Sequence, residues 1–318
     1  MLDRRSRRSD RSIILLVLIL VIVAGTGVYA ILQLRVDQIT DSLKKKQPIS
    51  TLFVFSDGDR AMFFEVFFYN PETRKGSLFY VPPNVGSVIK SINKVDGIDV
   101  LFKRSSPTAL KQKIEDLLGV PLQSWIDIDA QDARRLVDLM GGVDVFIPNP
   151  VDLTVQGKRI LLPSGSVTLD GDKAQDFITY TDPLESDVEM IGRRQKFLQA
   201  VLKGLGENSS FLLQRSSFRM LRSCVRTSLP AHALSSLVAE LSHFDSERMV
   251  LQRVLGTVRS VDGRDLLFPH QDGELLRQSV KQAMAANASN EFVAPDALTI
   301  TVEVLNGTRT AGLASRAR

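Results

Sequence analysis

The segment from Leu117 to Pro148, LLGVPLQSWIDIDAQDARRLVDLMGGVDVFIP, constrains the fold more than any other part of the chain. Trp125 to Asp129 alternate as a strand does, and Asp129 is placed to cap a following helix, with Asp132 three residues on at the capping-box position. Ala133, Leu136, Val137 and Met140 recur at spacings of three and four, so they share one helical face. Gly141-Gly142 stops that helix, and Val143, Val145 and Ile147 alternate again before Pro148. Strands joined through a helix usually lie parallel with a right-handed crossover. The expected fold is therefore α/β, a central mixed β-sheet flanked by helices.

The N-terminus sets an expected topology. Arg4, Arg5, Arg7, Arg8 and Arg11 precede an uncharged run from Ser12 to Leu34, and Arg35 stands at its far edge. A bilayer-spanning helix needs about 20 apolar residues, which this run supplies. Residues 1–11 then read as a basic cytoplasmic tip, 12–34 as a transmembrane anchor, and everything beyond as extracytoplasmic. A cleavable signal is the alternative, with small residues near Gly27 and Ala30 as its cleavage site.

The basic pI of 9.2 does not point to nucleic acid. Residues 1–11 hold five arginines and two aspartates, net +3 of the formal +4, so the rest of the chain carries only +1. That tip is explained by topology. A single cysteine, Cys224, excludes an internal disulfide and reads as a buried small side chain, with a reactive thiol as the sharper alternative. His232, His243 and His270 lack metal-ligand spacing, and neither a serine nucleophile elbow nor a phosphate-cradling glycine loop is present.

Residues 35–49 read as a polar linker. Strand-like runs follow at 51–57, 62–70 and 77–83, the last two joined by the turn cluster PETRKG as a hairpin. Ser106-Pro107 opens a helix with the stripe Leu110, Ile114, Leu117 and Leu118, closed by Gly119. Short strands cover GKRILLPSGSVTLDG, with a helix entered near Asp172. Further helices are expected over Arg193–Leu205, Pro230–Phe244 and Gly273–Ala285, with a hairpin turning at Val261-Asp262-Gly263-Arg264. A domain over 50–287 is thus followed by a polar linker at 288–297. At 298–318 a strand and the start of a helix open a second unit.

The segment described first, together with LPSGSVTLDGDKAQDF at 162–177, SIN at 91–93 and GRRQKFLQAVL at 192–202, resembles the LytR-CpsA-Psr (LCP) family. RTSLPAHALSSLVAEL and FPHQDGELLRQSVKQAM are similar to the tail of the same domain, and VEVLNGTRTAGLA to the start of a LytR C-terminal domain. The resemblance covers about 50–287. It implies an extracytoplasmic phosphotransferase that moves a glycopolymer from a polyprenyl pyrophosphate carrier onto peptidoglycan. Such chemistry takes arginines to clamp phosphates, acids to hold Mg²⁺ and an apolar slot for lipid.

Carried over by motif, the site is depleted. The family's Pro-Arg-Asp reads Pro82-Pro83-Asn84, its Arg-x-Asp falls on Arg60-Ala61-Met62, and two further arginines fall on Thr179 and Thr181. The resemblance leaves Asp57, Arg60 and Arg193 as catalytic candidates, Asn93, Arg194 and Gln195 as substrate-binding candidates, and Asp57 and Asp187 as ligands for Mg²⁺. Each has a plainer reading: Asp57 as a turn former, Arg60 as a surface charge, Asn93 as a loop tie, Asp187 as a helix cap. The run Phe53, Phe55, Phe63, Phe64, Phe67, Phe68 and Phe79 reads as core, or as the wall of a lipid slot.

Three functions follow. One is an active transferase with substitute ligands. The second is a degenerate relative, anchored in the bacterial cytoplasmic membrane, that binds lipid carrier, glycan or a partner and transfers poorly or not at all. The third, a transcriptional regulator, is excluded because 11 residues before the span cannot form a DNA-reading module. Each lost phosphate-binding arginine should cost about 2–4 kcal/mol of transition-state stabilisation, which favours the second.

Overall fold

In the computed structural model, residues 16–19, 38–155 and 157–289 are described. Strands β1 (Ile49–Asp57), β2 (Arg60–Asn70) and β3 (Lys75–Val81) are buried on both faces, which is why their sequences are almost continuously apolar. With β6 (Ser124–Asp129), β11 (Arg226–Thr227) and β12 (Val250–Arg253) they form a mixed sheet ordered β11-β6-β1-β2-β3-β12. β1 pairs antiparallel with β2 and parallel with β6. The strand period of two sends Phe53, Phe55, Phe63, Phe67 and Tyr80 to one face, and Leu52, Val54, Phe64, Phe68 and Phe79 to the other.

The first face is covered by helices α3 (Ala130–Met140), α4 (Gly171–Thr179), α5 (Asp187–Glu207) and α8 (Ala231–Leu241). The second lies against α2 (Thr108–Leu118) and α9 (Glu274–Ala288). The whole phenylalanine run is buried, and the cavity bordered by Phe53 and Ile128 holds about 30 Å³. That is about the share of one water in the liquid, so in this structure the phenylalanine layer is packed as core.

The opening segment folds locally as expected. Asp129 caps α3 by accepting from the Gln131 amide, and Gly141 ends it at φ 82. Asp132 takes no part in a capping box and pairs with Arg135 instead. The expected crossover differs: β7 (Val143–Ile147) does not join β6 in the sheet but pairs antiparallel with β10 (Gly165–Leu169). β1 holds one edge of β6 and the short β11 holds the other, so β7 has no edge to add to. The parallel neighbour of β6 is β1.

Helix α5 begins six residues before the expected Arg193, because Ser186 and Glu189 form a full capping box. Ser186, not Asp187, is the cap. Part of the segment read as linker forms helix α1 (Gln38–Lys44), with Ile39 in the core. The predicted anchor at 12–34 lies outside the described residues except for 16–19, and the unit expected at 298–318 lies wholly outside them. No described helix is long and apolar enough to cross a membrane.

Candidate functional site

The C-terminal ends of β1, β3 and β6 meet the start of β2 at one end of the sheet. Asp57, Gly58, Asp59 and Arg60 make the β1–β2 turn there, with Gly58 at φ 60 and its amide donating to Asp129 Oδ2 at 3.0 Å. Asp57 and Arg60 face each other as cross-strand partners, both exposed. Beneath the turn, Asp127 is fully buried; it accepts from Ser56 Oγ at 2.8 Å and from Arg226 Nη2 at 2.8 Å. Burial pushes its carboxyl pKa up, against the hydrogen bonds from Arg226 and Ser56.

Helix α5 brings two adjacent arginines to different places. Arg193 is buried and heavily hydrogen-bonded. Its Nε and Nη2 donate to Glu185 at 2.8 and 2.7 Å, Nη1 donates to the Phe177 carbonyl, and Nη2 also reaches the Tyr180 carbonyl at 3.1 Å. Four of the five guanidinium hydrogens are thereby used, and the group stacks 3.6 Å from the Tyr180 ring centroid. Arg194 instead enters the sheet layer, donating to Tyr80 Oη at 2.9 Å and lying 4.9 Å over Phe63.

Below Arg194 sits Glu65, completely buried on β2 opposite Tyr80 of β3. Neither of its oxygens has a hydrogen-bond partner, nor does Arg194 Nε. Gln195 is close enough to favour the carboxylate, but its Nε2 donates to the Gln252 carbonyl at 2.8 Å. Burial dominates, and the Glu65 pKa is raised well above the carboxylate range. Burial likewise raises Tyr80, opposed chiefly by Arg194.

The structure therefore joins Arg194 and Gln195 with Tyr80 and Glu65, and Asp57 with Arg60. Asp187 lies exposed in the first turn of α5, within electrostatic reach of Tyr80. Asn93 stands apart, exposed at φ 48 in the turn between β4 (Gly86–Ile89) and β5 (Lys94–Gly97). Among the described residues no three His, Cys, Asp or Glu side chains form a metal-sized group. Asp57 and Asp187 would hold Mg²⁺ only together with substrate phosphates and water, a mode this ion accepts. Cys224 is buried, and burial raises its thiol pKa, so it is not a poised nucleophile.

Sequence reasoning missed Glu65, Tyr80, Glu185 and the Asp127–Arg226 pair. The signal for Glu65 was present: it is the one charge inside MFFEVFFYN, an otherwise apolar strand.

A groove of about 620 Å³ runs between α5 and the segment from Phe146 to Leu153. Pro148, Val151, Leu184 and Val188 make much of its lining apolar, and Arg193 and Lys196 border it.

A mixed sheet covered by helices on both faces, with a polar cluster and an apolar groove at the start of α5, defines a three-layer α/β protein. A sequence model of the LytR_cpsA_psr family matches residues 68–283, and the chain belongs to that family. The polyisoprenyl-teichoic acid–peptidoglycan teichoic acid transferase TagU of Bacillus mycoides is 26% identical over 197 residues, 60% of this chain. That match spans 63% of the relative's own length. TagU of Bacillus subtilis is 22% identical over 254 residues, covering 71% of this chain and 80% of that protein. Among solved structures, B. subtilis TagV superposes with a TM-score of 0.65 at 16% identity, over 76% of this chain and 98% of that one. TagT bound to LI-WTA gives 0.61 at 15% identity, over 77% and 92%. These likenesses establish the fold.

Proposed function

We propose that this chain is a single-pass, membrane-anchored cell-envelope protein whose extracytoplasmic domain binds a polyprenyl-phosphate-linked glycan or peptidoglycan and transfers glycopolymer poorly or not at all. The observation that carries this reading is the Arg193 clamp. A guanidinium already holding Glu185 and two carbonyls has one hydrogen left for a phosphate. Arg194 is half-buried and its guanidinium donates to Tyr80 Oη, which takes up part of its hydrogen-bonding capacity. The apolar groove beside Arg193 supplies the room a prenyl chain needs. The relatives named as teichoic acid transferases support the substrate class.

One observation favours an active transferase: Asp57 and Arg60 are exposed at the same sheet end and carry no ion pair among the described residues, which leaves them available as ligands. The deciding experiment measures the full chain in detergent against a polyprenyl-linked glycan, with and without Mg²⁺. Binding without transfer is expected. Turnover matching that of a TagU relative overturns the reading in favour of catalysis.

A further inference from the structure

Most of the arginines whose contacts the structure describes are paired: Arg104, Arg134, Arg135, Arg159, Arg193, Arg226, Arg248, Arg264 and Arg277 all meet a carboxylate. Helix α7 (Arg215–Ser223) departs from this pattern. Arg215, Arg219 and Arg222 are exposed, have no ion pair among the described residues, and the helix contains no acid. At i, i+4 and i+7 they fall within about 40° of one line, spread over about 10 Å of helix. Fold stability accounts for only part of the row, since Arg222 in the last turn complements the helix dipole. Arg215 lies in the first turn, where a cation opposes the helix dipole, and Gln214 gives no side-chain cap.

The row also has a direction. At the end of α7, Arg135 of α3 donates to Ser223 Oγ at 3.0 Å and adds a fourth guanidinium, itself paired with Asp132. Three residues later Arg226 joins β11 to Asp127 and Ser56, beneath the β1–β2 turn that carries Asp57 and Arg60. We propose that the arginine face of α7 binds the phosphodiester chain of a polyanionic glycopolymer and guides it toward this end of the sheet. Guanidinium groups match phosphate oxygens bidentately, and a row of them suits a repeating anion. A lipid surface fits less well, because Leu221 is turned into the protein with the buried side of α7 and the exposed Met220 lies about 100° around the helix from Arg219, off the arginine line. The proposal rests on the glycan-binding reading for the identity of the ligand.

The test uses the full chain, poly(glycerol phosphate) free of lipid, and the triple variant R215Q/R219Q/R222Q. The variant should melt with the parent and bind the polymer about 10-fold more weakly or worse, with the parent's binding falling steeply in salt. A second triple, K44Q/K45Q/K46Q, removes the same charge elsewhere and should stay within about twofold of the parent. Equal loss in both triples, or parental affinity in the arginine triple, overturns the proposal. So does loss of binding only to anionic phospholipid vesicles, which would assign the face to a membrane. Polyprenyl phosphate without glycan separates the two readings. A chain that fails to bind it but holds the polymer through α7 refutes the lipid-carrier part of the function proposed above and leaves this proposal standing.

Discussion

The carboxylate of Glu185 and the guanidinium of Arg193 close a two-point ion pair at 2.8 and 2.7 Å, with the two side chains 12% and 5% exposed. The pair ties the start of α5 to the loop before it and fixes one wall of the groove. Glu185→Gln keeps the shape and removes the counter-charge, leaving a buried cation. A loss of about 3 kcal/mol is expected in urea unfolding, as for other broken buried pairs. A loss under 0.5 kcal/mol would mean that the two carbonyls alone hold Arg193.

Asp127 and Arg226 make a second long-range tie, 99 residues apart in sequence. Asp127 is inaccessible while Arg226 is 29% exposed, so water softens the change at the arginine. Arg226→Gln should therefore cost about 1–3 kcal/mol, read as a lower urea midpoint. Hydrogen exchange should rise first in β11, a two-residue edge strand whose other side-chain tie to β6 is Thr227 Oγ1 donating to the Trp125 carbonyl at 2.7 Å.

The same pair shows what the sequence could disclose. The unit β6–α3–β7 is legible because its causes are local: period two, then spacings of three and four, then Asp129 and Gly141 as stops. The place of β7 is not legible, because β11 takes the edge through contacts about a hundred residues away. Arg193 and Arg194 make the point for the site. They are adjacent in sequence but about 100° apart around α5, so one meets Glu185 and the other Tyr80. Spacing marks both as candidates, and only the packing of α5 tells them apart.

Gly206 lets α5 and α8 approach closely. A Cβ there would run into the backbone carbonyl of Leu241, which has no side-chain rotamer to yield. Gly206→Ala should cost about 1–3 kcal/mol through overpacking, despite alanine's better helix propensity. Gly192→Ala, with nothing within 4 Å of its Cβ, is the control on the same helix and should be neutral or stabilising. Thermal melts of the two variants distinguish close approach from propensity.

Glu65 makes stability depend on pH in a direction unusual for an acid. Burial holds its carboxyl protonated well above the ordinary value of 4.5, with Gln195 and then Arg194 acting against the shift. Once the pH exceeds 4.5, the unfolded chain has released this proton and the folded chain still keeps it. The folded state then binds more protons, so stability falls as pH rises, until the folded carboxyl itself ionises. The contribution is whole below 4.5 and is lost through that window. Glu65→Gln cannot titrate. Subtracting its urea midpoints from those of the parent, from pH 4 upward, isolates this one group from all other acids. The parent should lose ground to the variant steadily above pH 4.5. Parallel curves would mean that Glu65 is ionised in the folded chain, held by Arg194 as a buried ion pair.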